Sequence, residues 1–248
     1  MSVEREIRLE RRDGGRLARL TLSLPPVNVL TVADLDLLAR RIEEAGSARV
    51  VMLEGLPRAF SAGVEVAEHV PEPGAIDRML SAMRAVLEGL LRTPAVTVAS
   101  VSGACLGGGA EIAAACDVVL VADDARIGFP EIRLACFPPA AAVFLPFRMG
   151  EARAARWILS GGSFSGAAAA RQGFASESFP SAALGPETDR FVERLAARSP
   201  EALTAVRDLL RRGRRKALSR DLPAAEEAYR RLTGSADLAR AVREWKKD

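Results

Sequence analysis

Residues 103–131 read GACLGGGAEIAAACDVVLVADDARIGFPE, and the rest of the chain has to be built around this stretch. Gly107, Gly108 and Gly109 put three residues without a Cβ in a row, so a ligand can approach their backbone amides closely. The alanine-rich run from 110 to 116 predicts a buried helix. The first-turn N–H groups of such a helix have no intrahelical acceptor, and its dipole is positive at that end, so both act on whatever sits over the glycines. Glu111 falls in that first turn. A β-branched strand is expected at 117–122, and Glu131 follows it, behind Pro130. Taken singly these features are ordinary: a glycine run also serves close packing of a helix on a strand, and a glutamate at a helix start is a common partner of the dipole. A carboxylate set among alanines is less ordinary, because its burial is costly unless it is paired or used. Backbone donors beside two carboxylates suit acid–base chemistry on a carbonyl compound.

A second loop of small residues, FSAGV at 60–64, strengthens this reading. It could bring the Val64 amide beside that of Gly108 to make an oxyanion hole with two donors. Upstream, 17–24 alternates, with Ala18, Leu20, Leu22 and Leu24 on one face, which predicts a half-buried strand paired with 7–9 across the Asp13-Gly14-Gly15 turn. Thr31 with Asp34 resembles a capping box and opens a helix through about Glu44. Residues 50–53 form a short buried strand. The apolar spacing over 75–91 predicts the strongest helix of the chain, stopped at Thr93-Pro94. Residues 95–101 form another buried strand that delivers the chain to the glycines. Downstream, Ser165 is expected to cap a short helix ending at Gly173, and Ser199-Pro200-Glu201 to start another. From Pro186 onward the pattern is helical. Alternating strands and helices give an α/β class, which an open parallel sheet would share.

Composition narrows the chemistry. About half of the 248 residues are apolar (49%), enough for a large core, and a net charge of +3 does not call for a polyanion partner. No apolar run approaches the roughly 20 residues of a membrane span. No signal peptide is expected. Cys105, Cys116 and Cys136 lack CxxC spacing and are read as reduced thiols of a cytoplasmic protein. His69 is the single histidine, so no multi-histidine metal site is expected, and no GxSxG elbow accompanies it. GACLGGG is neither GxGxxG nor a P-loop. The arginines at 207, 211, 212, 214 and 215 are read as a solvated basic face, less often a phosphate or RNA contact.

Together FSAGVEV, GACLGGGAEIAAACDVVLVADDARIGFPEI and LSGGSFSGAAAARQGFASESF resemble the crotonase (enoyl-CoA hydratase/isomerase) superfamily, and PPVNVLT resembles its early loop. The resemblance spans nearly the whole chain. It implies a crotonase-like spiral of ββα repeats over 1–185 and a helical C-terminal trimerisation region over 186–248, assembled as a homotrimer or homohexamer. It implies an acyl-CoA thioester as substrate, with no metal or redox cofactor. Carried over residue by residue, it places the oxyanion amides on Val64 and Gly108 and the two hydratase acids on Glu111 and Glu131. Ala62, Glu65, Gly107, Phe137 and Pro138 fall at substrate-binding positions. Glu65 stands where the family usually has aspartate. Pro139 replaces a residue with an N–H in a glycine-rich segment, which makes the pocket wall stiffer and more apolar. FSAGVEV followed by His69, with FPPAAAVFLP, looks most like the cyclohexadiene-carbonyl-CoA hydratases. The alternatives are an enoyl-CoA isomerase working with one carboxylate, and a crotonase-fold RNA-binding protein using the 207–216 face.

Overall fold

In the computed structural model, which describes residues 5–65 and 74–245, the chain winds through successive strand–strand–helix turns. The strands are β1 (Glu6–Arg12), β2 (Leu17–Ser23), β3 (Val29–Leu30), β4 (Val50–Glu54), β5 (Ala59–Ser61), β6 (Gly63–Val64), β7 (Val96–Val101), β8 (Ala104–Leu106), β9 (Val118–Ala122), β10 (Arg126–Gly128), β11 (Ser163–Ser165) and β12 (Glu177–Phe179). The helices are α1 (Val32–Ala45), α2 (Ala75–Arg92), α3 (Gly108–Ala115), α4 (Pro139–Met149), α5 (Glu151–Ser160), α6 (Gly166–Gln172), α7 (Ser181–Ala196), α8 (Pro200–Arg220), α9 (Leu222–Thr233) and α10 (Ala236–Trp245).

A larger sheet runs in the order β1-β2-β4-β7-β9-β12, and a smaller one in the order β11-β10-β8-β5. Among the described strands, β1–β2 and β10–β11 pair antiparallel and the other pairs are parallel. Each of β4, β7 and β9 sits in the larger sheet and is followed by a partner in the smaller one: β5, β8 and β10 in turn. This is the expected ββα spiral. The parallel strands of the larger sheet are covered on both faces, so β4 (VVMLE) and β7 (VTVASV) are buried along their length without alternation, save Glu54 at the end of β4.

The smaller sheet positions the site. Its strands β5, β8 and β10 are mutually parallel, with Ser61 and Ile127 both registered against Cys105. Their C-terminal ends therefore lie side by side, and ligands of α/β sheets gather at such ends. From β5 the chain continues to Gly63 and Val64, from β8 to Gly107 and Gly108, and from β10 to Pro130 and Glu131. The strands β8 and β10 are missing from the sequence reading, which takes 95–101 straight into the glycines. Three residues are too few for either periodicity to register.

Local signals fix the loop that carries Val64. Thr31 caps α1 in a full capping box with Asp34. Just before it, Asn28 is buried with a left-handed φ of 53°. Its side chain accepts from Leu24 N (2.7 Å) and donates to Ala59 O (2.9 Å) and Phe60 O (3.0 Å). The Ser61 hydroxyl donates back to Asn28 O (2.8 Å). Asn28 thus ties the end of β2 to the FSAGV loop.

Two expectations for the C-terminal third change. The helical pattern placed from Pro186 begins at Ser181, with Pro186 inside α7, where it forgoes one helical hydrogen bond. The basic run on α8 is only in part a solvated face: Arg212 and Lys216 are exposed and Arg215 partly so, but the other three arginines are not. Arg211 is fully buried, Arg207 nearly so, and Arg214 largely enclosed, while Val206, Leu209 and Leu210 are 57–70% exposed. Arg211 and Arg214 turn inward because they meet the carboxylate of Asp117 and a row of backbone carbonyls there, while Arg207 pairs with Asp208 on its own helix. Arg207, Arg211 and Arg214 are not free to meet RNA.

Candidate active site

The helix α3 starts two residues earlier than its alanines suggest, at Gly108, and every residue from Gly108 to Ala115 is buried. Only side chains this small let a helix sit between α2, α4 and the smaller sheet. Its first internal bond runs from Glu111 N to Gly107 O (2.9 Å), so the Gly108 N–H has no acceptor within the helix. Gly107 has a left-handed φ of +51°, and a Cβ there would stand 2.5 Å from Glu131 Oε1; at Gly108 it would stand 2.7 Å from the Val64 side chain and 3.7 Å from Val64 N. The glycines bring the Glu131 carboxyl and the Val64 loop against the start of α3. Val64 N is turned away from β3, since its neighbour Glu65 N is the one that donates to Leu30 O (2.9 Å). The Val64 and Gly108 amides are neighbours at one end of a cavity of about 200 Å³.

All the residues nominated from the sequence line this cavity except Glu65, which stands at the end of β6 outside the lining. His69 lies outside the described residues. Phe137 packs edge-to-face on Tyr229, with ring centroids 5.9 Å apart. Pro138 and Pro139 open α4, Pro139 as its first residue, where no intrahelical N–H is required. Among the described residues no three His, Cys, Asp or Glu side chains are grouped to hold a metal ion.

The two carboxyls have different settings. Glu111 is buried (4% exposed), and its Oε1 accepts from Ala141 N at 2.8 Å. Since Pro138 offers α4 no side-chain cap, Glu111 reaches across from α3 and serves as the cap, facing the positive end of the α4 dipole. Burial pushes the Glu111 carboxyl up to about 7, against the pull of the Ala141 and Ala140 N–H groups. Glu131 has less support: only its own backbone N–H draws its carboxyl down, and its Oε2 is buried without a hydrogen-bond partner among the described residues. Burial, and then the charge of Glu111, push the Glu131 carboxyl up to about 8. The repulsion between the acids falls on the one with fewer donors, so both carboxyls are raised and Glu131 the further.

This has a consequence for stability. Both carboxyls bind protons more tightly in the folded chain than in the unfolded one, so their contribution is complete below about pH 4.5 and is lost as the pH rises through 7 to 8. Replacing Glu131 by Gln is expected to stabilise the protein at pH 8 by on the order of 2 kcal/mol, roughly 4–8 °C in Tm, and hardly at pH 5. Thermal unfolding of both proteins at the two pH values checks this, and an equal change at both would contradict it.

Sequence reading misses the rest of the lining. Met83, Arg84 and Leu87 come from α2, and Leu222, Glu226 and Tyr229 from α9. In sequence they are the apolar or polar positions of amphipathic helices; the one available signal is that Tyr229 is the sole tyrosine of the chain. Cys136 also lines the cavity, and its thiol donates to Glu131 O (3.3 Å). Burial, and then the charge of Glu131, push that thiol up to about 12, so it stays protonated.

Comparison with known proteins identifies the family. The profile of the enoyl-CoA hydratase/isomerase family matches residues 13–246. The cyclohexa-1,5-dienecarbonyl-CoA hydratase of Thauera aromatica is 37% identical over 193 residues, 76% of this chain and 74% of that protein. The 2,3-dehydroadipyl-CoA hydratase of Escherichia coli (strain K12) is 32% identical over 228 residues, 90% and 89% of the two chains. The crystal structure of an enoyl-CoA hydratase/isomerase from Mycobacterium paratuberculosis shares the fold, with a TM-score of 0.89 at 22% identity over 98% of this chain and 100% of that one. The chain belongs to the enoyl-CoA hydratase/isomerase family, within the crotonase superfamily, and is an enzyme of the hydratase type.

Proposed function

We propose that the chain adds water to an α,β-unsaturated acyl-CoA thioester, or removes it in reverse, with Glu111 as general base and Glu131 as general acid. The observation that carries this reading is the unequal support of two carboxyls on one cavity: Glu111 capping α4, and Glu131 over Gly107 with its Oε2 unpartnered among the described residues. The thioester oxygen would accept from the Val64 and Gly108 amides, which stabilise the negative charge that develops there as the double bond is attacked. Glu111, ionised, takes a proton from water as the oxygen bonds to the β-carbon. Glu131, protonated, gives its proton to the α-carbon. The two steps consume one water, and the proton gained by Glu111 returns to Glu131 through solvent. Two acids with separated proton affinities suit this division of labour. Coenzyme A enters only as part of the substrate.

The similarity to the Thauera aromatica hydratase, with the apolar wall of Phe137, Pro138 and Pro139, supports a cyclic dienoyl-CoA as the substrate. Loss of the conjugated-thioester absorbance should be measured with cyclohexa-1,5-diene-1-carbonyl-CoA and with crotonyl-CoA in water labelled with heavy oxygen. Labelled hydroxyacyl product supports hydration; a shifted double bond with no label means isomerisation instead. Faster turnover of crotonyl-CoA overturns the cyclic substrate alone.

A homotrimer or homohexamer accords with Val206, Leu209 and Leu210 on the outer face of α8, an apolar stripe at helical spacing. Sedimentation at the mass of one chain would contradict it. Three buried unpaired thiols accord with a reducing, cytoplasmic setting. Among the described residues no helix is long and apolar enough to cross a membrane.

A further inference from the structure

The cavity has two aromatic side chains in its wall, Phe137 from the segment that follows Glu131 and Tyr229 from α9. Their rings meet edge to face, with centroids 5.9 Å apart and planes inclined by 68°. Both rings are held. Tyr229 is 2% exposed and shares a buried cluster with Cys136 and Met79, against which the half-buried Phe137 packs. Pro138 follows Phe137 and restricts its backbone to extended conformations, and Pro139 opens α4 directly after. Met79 and Met83, one turn apart on α2, line the same cavity. Met83 Cε lies 2.8 Å from where a Gly108 Cβ would stand, so this thioether borders the oxyanion amides. The wall that an acyl group meets therefore combines fixed aromatic rings with polarisable sulfur. Aliphatic side chains would fill the same wall and treat flat and puckered rings alike, whereas aromatic edges and thioethers gain most from a π face.

We infer that Phe137 and Tyr229 are specificity residues that select an acyl ring flattened by conjugation over a saturated ring of the same size. This rests on the acyl-CoA reading above and deepens its cyclic substrate: it names the property of the ring that is recognised and the side chains that recognise it. A conjugated ring is thin and offers two π faces to aromatic edges and to sulfur. A saturated ring is puckered and presents C–H bonds on every side, so the same wall gives it dispersion alone. A linear chain has no π face beyond its one double bond and loses rotational freedom on binding. A fully aromatic acyl group, flat and inert to water addition, is then a ligand that the cavity binds and does not convert.

Binding tests this separately from turnover. Calorimetry gives dissociation constants for benzoyl-CoA, cyclohexanecarbonyl-CoA and heptanoyl-CoA, three thioesters with equal numbers of acyl carbons, on the wild type, Phe137→Leu, Tyr229→Leu and Tyr229→Phe. Benzoyl-CoA should bind the wild type about tenfold more tightly than cyclohexanecarbonyl-CoA. Tyr229→Phe keeps the ring and should keep that preference, while Phe137→Leu and Tyr229→Leu should bring it below about threefold. Phe137 is half-buried, so Phe137→Leu reports even where Tyr229→Leu does not fold. Three results would each overturn the inference: a wild-type preference under about threefold, a preference that Phe137→Leu leaves above about threefold, or heptanoyl-CoA bound as tightly as benzoyl-CoA. An absence of water addition to any thioester with this preference intact would instead remove the hydratase reading and leave the aromatic wall standing.

Discussion

Replacing Glu131 by Gln is expected to lower kcat about 10³-fold while KM changes by less than tenfold, and Glu111→Gln to do the same. The amide keeps the shape of each side chain but cannot exchange a proton, so the cavity survives and the chemistry does not. The pH profiles should separate the two roles. Turnover needs Glu111 ionised and Glu131 protonated, so wild-type kcat/KM should rise through about pH 7 and fall above about pH 8, a narrow bell. In Glu131→Gln the falling limb should disappear from the residual activity, and in Glu111→Gln the rising limb. Stopped-flow assays across pH 5 to 10 measure both. Either variant within tenfold of wild-type kcat would remove that residue from the proton transfers.

The second large effect lies at the other end of α3. The last carbonyls of this helix accept from arginines: Ala114 O from Arg148 Nε (3.1 Å), Ala115 O from Arg214 Nη1 (2.9 Å), and Cys116 O from both side chains. The next residue, Asp117, pairs with Arg211 through Nε at 2.7 Å and through Nη2, and with Arg214 Nη2 at 3.1 Å. Burial alone would raise the Asp117 carboxyl, but the hydrogen bonds and charge of Arg211, with Arg214 behind, hold it below the usual carboxylate range. Arg211 also donates to Thr93 O (2.7 Å) and Ala95 O (2.9 Å), so one guanidinium binds α8 to the end of α2 and the start of β7. Asp117→Ala is expected to cost about 3–5 kcal/mol in urea unfolding, because it strands a fully buried cation. Asp117→Leu combined with Arg211→Met should cost less than the sum of the single changes. A loss under about 1 kcal/mol for Asp117→Ala would mean the carbonyls alone suffice for Arg211.

The part of this molecule that is legible from sequence is the part with strict local demands. The capping box of Thr31 and Asp34, the alternation over β2 and the apolar stripe of α2 each have a near-neighbour cause, and each appears where its pattern predicts. The glycines and two glutamates are legible because a backbone that approaches a ligand and an acid among alanines both run against ordinary propensity. Arg211 and Arg214 of α8 are misread because periodicity shows that a face exists but not which face is covered. Their partners, Asp117 and the carbonyls of Leu91, Thr93, Ala95, Ala115 and Cys116, lie about a hundred residues earlier. Arg84 and Glu226 are invisible for the same reason, being 142 residues apart and joined only by the packing of α9 on α2.

The most direct measurement is a crystal structure with a slowly reacting unsaturated acyl-CoA bound. The thioester oxygen should lie about 2.7–3.1 Å from both Val64 N and Gly108 N, with the Glu111 and Glu131 carboxyls on one face of the double bond, Glu111 toward the β-carbon and Glu131 toward the α-carbon. A thioester oxygen bound away from those two amides, or carboxyls on opposite faces of the double bond, would contradict the proposed chemistry.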